Sequence, residues 1–106
     1  MKRIKQFVKG QDFSGAFTVF DIETTGIHKE TDHIIEIGAV RIENGLITDR
    51  FSRFINPGIP IPEEITKLTS ITDDQVKDSD PIEIVLHDFL VWAADSVLVA
   101  HNAMFD

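Results

Sequence analysis

"FTVFDIETTG", Phe17 to Gly26, is an apolar, β-prone run that ends in two carboxylates, Asp21 and Glu23, one residue apart and just ahead of a turn. The run from Ala16 to Glu23 reads as a strand buried on both faces, with Thr24, Thr25 and Gly26 as its exit turn. Side chains two apart on a strand share a face, so the acids stand side by side at the strand's C-terminal end, where open α/β sheets build their sites. There they repel one another. Hard divalent cations such as Mg²⁺ or Mn²⁺ take oxygen ligands and remove the conflict. The alternative is that both acids point into solvent beyond the sheet edge, and D-x-E alone does not decide between the two.

Further along, Ile34–Glu43 and Leu46–Ile55 flank Asn44-Gly45, a dipeptide that takes φ > 0 at both central positions of a type I′ turn, so a hairpin is expected. Asn56 to Pro62 holds three prolines and a glycine and reads as an extended surface connection. Pro62-Glu63-Glu64 marks one short helix start, and Thr72 with Gln75 has capping-box spacing for a second. After Asp80-Pro81, Ile82, Val85, Leu86, Phe89 and Leu90 form one stripe of an amphipathic helix that runs to Ala94 and packs on the sheet. "SVLVA", Ser96 to Ala100, is a short strand, and "HNAMFD" is its exit. Strand, hairpin, helices and strand in that order predict an α/β chain with a mixed sheet.

A length of 106 residues with 42% apolar content suits one small domain. Cysteine is absent, which excludes disulfides and thiolate metal sites and is compatible with a reducing cytoplasm. No apolar stretch approaches the ~20 residues of a membrane span, so a soluble, cytoplasmic protein with no membrane partner is expected. The formal net charge of −8 disfavours a broad basic surface for nucleic acid; a polyanionic ligand needs its sign reversed locally, which carboxylate-held cations do.

Four blocks in this order, "FTVFDIETTG", "DHIIEIGAV", "IPIPEEITKLTSIT" and "VLVAHNAMFD", resemble the DnaQ-like DEDD exonucleases, and among them most the proofreading exonuclease of bacterial DNA polymerase III in its epsilon or PolC form. The resemblance spans Phe17 to Asp106; one departure is Ser70, where the family often has glycine in "LTGIT". It implies a ribonuclease-H-like fold and removal of single nucleotides from a 3′ end by two divalent cations, Mg²⁺ or Mn²⁺. Asp21 then matches the acid that bridges both metals, Glu23 a ligand of the first, and Asp106 the acid that holds the second. Two cations ~3.5–4 Å apart activate water and stabilise the leaving 3′ oxygen without Lys or Arg. The resemblance also makes backbone N–H groups near Thr24 and the side chain of Ile27 candidates for the terminal nucleotide, with Asn102 a further one. Ile27 is equally a loop-anchoring apolar residue, and Asn102 equally a residue bonding its own turn.

The DEDDh branch carries its general-base histidine in a third motif expected beyond Asp106. His101 belongs to the second motif and is read as structural, at the strand exit. His28, His33 and His87 are read as solvated or packing residues, and Asp73-Asp74 as helix N-terminal acids rather than metal ligands. Glu36, between Ile35 and Ile37, calls for a partner if buried and is assigned a supporting role, and Gly38 is read as permitting a helix to pack closely on the sheet.

The expectation is an α/β, ribonuclease-H-like mixed sheet flanked by helices: one exonuclease domain over residues 1–106, incomplete at its C-terminus. It would act on a single-stranded or frayed 3′ end of DNA, with a DNA polymerase subunit as a partner. The alternatives are a catalytically incomplete binding module of the same fold and an RNA-trimming exonuclease.

Overall fold

The computed structural model describes residues 15–26 and 32–101. They form β1 (Ala16–Thr24), β2 (Ile34–Glu43), β3 (Leu46–Phe54), α1 (Glu63–Thr69), α2 (Asp73–Val76), α3 (Ile82–Trp92) and β4 (Val97–Ala100). The strand order is β3-β2-β1-β4; β2 runs antiparallel to both β1 and β3, and β4 parallel to β1. The sheet is therefore mixed, with the acid-bearing strand inside it. Asn44 and Gly45 take φ 54° and 80° and pair Glu43 with Leu46, the turn that dipeptide selects.

One face of the sheet carries Phe20, Ile37, Ala39 and Phe51, and α3 lays Val85, Phe89 and Ala93 onto it. Phe89 is the hub, in edge-on contact with Phe20 and Phe51 at centroid distances of 5.5 and 5.4 Å. Arg53 of β3 fastens the helix by pairing with Asp80 at 3.0 Å and Asp88 at 3.1 Å, and Trp92 Nε1 donates to Asp49 at 3.0 Å. The contact line runs at +4 spacing, so Leu86 and Leu90 of the expected stripe are 42% and 50% exposed. The helix also stops at Trp92 rather than Ala94. The chain must reverse at once to feed β4, and Asp95 does so at φ 64°.

Burial of β1 on both faces holds only at Thr18 and Val19; Ile22, past the reach of α3, is 38% exposed. Thr18 is fully buried yet satisfied, its hydroxyl bonding Ser96 Oγ at 2.7 Å across to the start of β4. The Asn56–Pro62 connection is extended as expected but is not all surface: Ile61 packs with Ile35, Ile71 and Val76 beneath α1 and α2. The capping box is formed, Gln75 N–H donating to Thr72 Oγ1 and Thr72 N–H to Gln75 Oε1. Ser70 closes α1 at φ 67°, the left-handed conformation that glycine takes without cost.

Candidate active site

The opposite face of β1 presents Phe17, Val19, Asp21 and Glu23, and the register sets Ile42, Val40, Gly38 and Glu36 of β2 directly across from them. Its first half is apolar, a cluster of Val19, Val40 and Ile42 with Phe17 and Val99. Its second half is carboxylate. Asp21 and Glu23 thus share one face at the C-terminal end of β1, as their spacing required. Asp21 faces Gly38, where an added Cβ meets nothing within 4 Å, so a shallow hollow lies beside the carboxylate, lined also by His101. Among the described residues no helix packs on Gly38; the open space there takes the place of the close helix contact expected of it.

Glu36 is directly opposite Glu23. Partial burial, and then the Glu23 charge, raise its carboxyl above the ordinary value of 4.5. The partner sought for it from the sequence is thus another acid on the same face. Among the described residues no three His, Asp or Glu side chains converge as a ready metal cage. The third expected ligand, Asp106, lies outside the described residues, as do Ile27, Asn102 and His28.

β4 continues one residue past its end, His101 N–H donating to Phe20 O at 2.8 Å, and this sets His101 beside Asp21. His101 Nδ1 lies 2.8 and 3.0 Å from the two Asp21 oxygens. His101 is at the strand exit, as expected, and there it also touches Asp21, one of the two candidate acids. Only the pairing of β4 with β1, which sequence spacing does not reveal, makes this visible. His33 contributes through its backbone and His87 is an exposed helix residue, 3.7 Å from Asp88. Asp73 accepts from Ile61 N–H at 2.8 Å and anchors the loop before α1.

The exit of β1 is tightly tied. Thr25 N–H donates to His33 O at 2.8 Å, so that group is not open to a ligand. The Thr24 hydroxyl is turned back onto Gly26, donating to its carbonyl. The Thr24 hydroxyl, which also accepts from Gly26 N–H, is therefore engaged within its own turn.

The sequence profile of the RNase_T exonuclease family matches residues 18–106. The chain belongs to this exonuclease family. It is 59% identical over 92 residues to a DNA polymerase III PolC-type of Caldanaerobacter subterraneus subsp. tengcongensis, an alignment that covers 87% of this chain and 7% of the relative. This exonuclease chain thus spans a small fraction of the polymerase it matches. Among solved structures it is similar to exonuclease X in complex with 5′ overhanging duplex DNA, at TM-score 0.67 and 32% identity over 85% of this chain and 51% of that one. It is also similar to the nuclease domain of 3′hExo, a DEDDh family member bound to rAMP, at TM-score 0.69 and 28% identity over 77% of this chain and 45% of that one. The fold is the ribonuclease-H-like one of the DEDDh exonucleases.

Proposed function

We propose that this exonuclease domain removes nucleotides from the 3′ end of DNA with two divalent cations, Mg²⁺ or Mn²⁺, as part of a proofreading polymerase. The observation that carries the reading is the placement of Asp21 and Glu23 on one face at the end of the central strand, in a chain 59% identical to a PolC-type polymerase. The donor set suits hard cations, since every candidate ligand is a carboxylate oxygen. Asp21, Glu23 and Asp106 would hold them, and bound there the cations supply an activated water and a stabilised leaving oxygen.

The chain's own groups do the rest. His101, with Nδ1 2.8 and 3.0 Å from the two Asp21 oxygens, orients the carboxylate and leaves its remaining lone pairs for a cation. The hollow opposite Gly38 leaves room beside Asp21 for the end of a strand. Ile27 and Asn102 remain the candidates for contact with the terminal base and sugar, and the backbone of Thr24 for the 3′ hydroxyl.

The test uses 3′-labelled single strands of DNA and RNA with Mn²⁺, assayed against the 106-residue chain and a polypeptide extended through a third motif. Mononucleotide release from the DNA 3′ end by the extended polypeptide is expected, with loss on Asp21→Ala, Glu23→Ala or Asp106→Ala. Without a third-motif base the short chain should be inactive. Release that survives Asp21→Ala would refute the assignment, and preference for the RNA strand would move the substrate to RNA.

A further inference from the structure

Past Glu23 the β1–β2 pairing slips. Glu23 faces Glu36 but Thr24 faces Ile34, so Ile35 is an extra residue on β2. The bulge turns Ile35, 0% exposed, into the cluster beneath α1 and α2, and turns Ile34 onto the α3 face. The bulge changes the pairing by one residue immediately beyond Glu23, and a slip of one residue in a strand reverses every side chain. One short tie stands on the far side. The Thr25 hydroxyl accepts from His33 N–H at 2.9 Å and donates to Asp32 Oδ1 at 3.1 Å, while Thr25 N–H donates to His33 O at 2.8 Å. Thr25 is only 3% exposed. Gly26 closes over the same carboxylate so tightly that a Cβ there would stand 2.6 Å from Asp32 Oδ2.

We infer that Thr25 and Asp32 are positioning residues for Glu23: their tie locks the register beyond the bulge and so fixes the direction in which Glu23 offers its oxygens to a cation. The inference rests on the proposed metal role of Asp21 and Glu23. A hydroxyl bridging the His33 N–H, just ahead of β2, and the Asp32 carboxylate is not needed to bring the two strand ends together, since the Thr25–His33 backbone bond already does that. It adds a constraint on rotation of the strand end, next to the residue whose aim matters.

The test is Mn²⁺ affinity of the 106-residue chain, read from the loss of the free-ion EPR signal, beside thermal unfolding in EDTA. Groups hydrogen-bonded to metal ligands typically change metal affinity by about 10–100-fold, and a tie that acts on Glu23 only through the backbone belongs at the lower end of that range. Thr25→Val and Asp32→Ala should each weaken Mn²⁺ binding about tenfold at temperatures where both remain folded, whereas Thr25→Ser and Asp32→Asn, which keep the hydroxyl and the Oδ1 acceptor, should restore it to within about twofold. Should Thr25→Val fail to fold, Asp32→Ala and its Asn rescue carry the comparison alone. Lower melting temperatures with unchanged Mn²⁺ affinity would overturn the inference and leave the tie a turn fastener. A wild-type chain with no saturable Mn²⁺ binding would instead remove the metal reading itself, and this inference with it.

Discussion

Phe89→Ala is the perturbation that should cost this fold most. The ring is 4% exposed, lies edge-on to Phe20 and Phe51, and has Trp92 at 6.2 Å. A buried aromatic removes ~150–250 Å² from water, and at about 25 cal/mol per Å² this gives about 4–6 kcal/mol as an upper figure. The alanine methyl recovers a little, and measured Phe→Ala losses of about 3–5 kcal/mol bracket the same range. About 4 kcal/mol is expected, a large part of the ~5–15 kcal/mol that holds a domain together. Urea unfolding followed by circular dichroism measures it, with Phe89→Leu as a milder companion costing about 1–1.5 kcal/mol. Since Phe20 precedes Asp21 on β1, the Leu variant also asks whether loosening the core reaches the acids; its Mn²⁺ affinity should match wild type. A loss below about 1.5 kcal/mol for Phe89→Ala would refute the picture of one ring tying α3 to β1 and β3.

Glu36→Gln should raise stability in EDTA at neutral pH. With the folded pKa lifted above 4.5, the fold favours the protonated carboxyl. That contribution is fully present below the ordinary value and lost as pH rises through the lifted one, so the advantage of Gln should close on acidification; a pH-independent gap would contradict it. Asn44→Val places a β-branched residue at φ 54° and should cost about 1–2 kcal/mol in urea melts, whereas Ser70→Gly at φ 67° should gain about 0.5–1 kcal/mol; a null result at either position would remove the strain argument there. Asp21→Asn gives up the charge of a half-exposed pair with His101 and should cost no more than about 1 kcal/mol without metal. On the proposed metal reading Mn²⁺ should raise the melting temperature of wild type and the same change should abolish that rise; its retention would take Asp21 out of the proposed site.

Local rules carried far in this chain. The Asn44-Gly45 turn, the Thr72–Gln75 box and the strand either side of Phe20 follow from backbone preferences and period, which need no knowledge of partners. The same rules misjudged α3, because Leu86 and Val85 are equally apolar and only the shape of the sheet decides which faces inward. They missed the bulge at Ile35, since Ile34-Ile35-Glu36 has no glycine or proline to mark an extra residue and the slip exists only relative to β1. They missed His101 on Asp21 for a similar reason. A contact between residues 80 apart depends on β4 lying parallel beside β1, a fact of topology rather than of spacing.

Under the proposed function, charge placement bears on how so acidic a chain would take a polyanionic substrate. Its described basic side chains are largely committed to its own acids: Arg41 to Glu43, Arg53 to Asp80 and Asp88, Lys67 to Glu63, and Lys77 to Asp74. None of these pairs lies at the C-terminal end of β1, where Asp21, Glu23 and Glu36 gather instead. Gripping phosphates with Lys and Arg requires those side chains free and turned toward the site. A net charge of −8 would then work against binding at every distance within screening range. Under the proposed function, cations held by these carboxylates would reverse the sign locally, beside the scissile phosphate, without any basic side chain gripping the strand there. Such local attraction would suit the proposed removal of one nucleotide at a time, each held for one cleavage and then released.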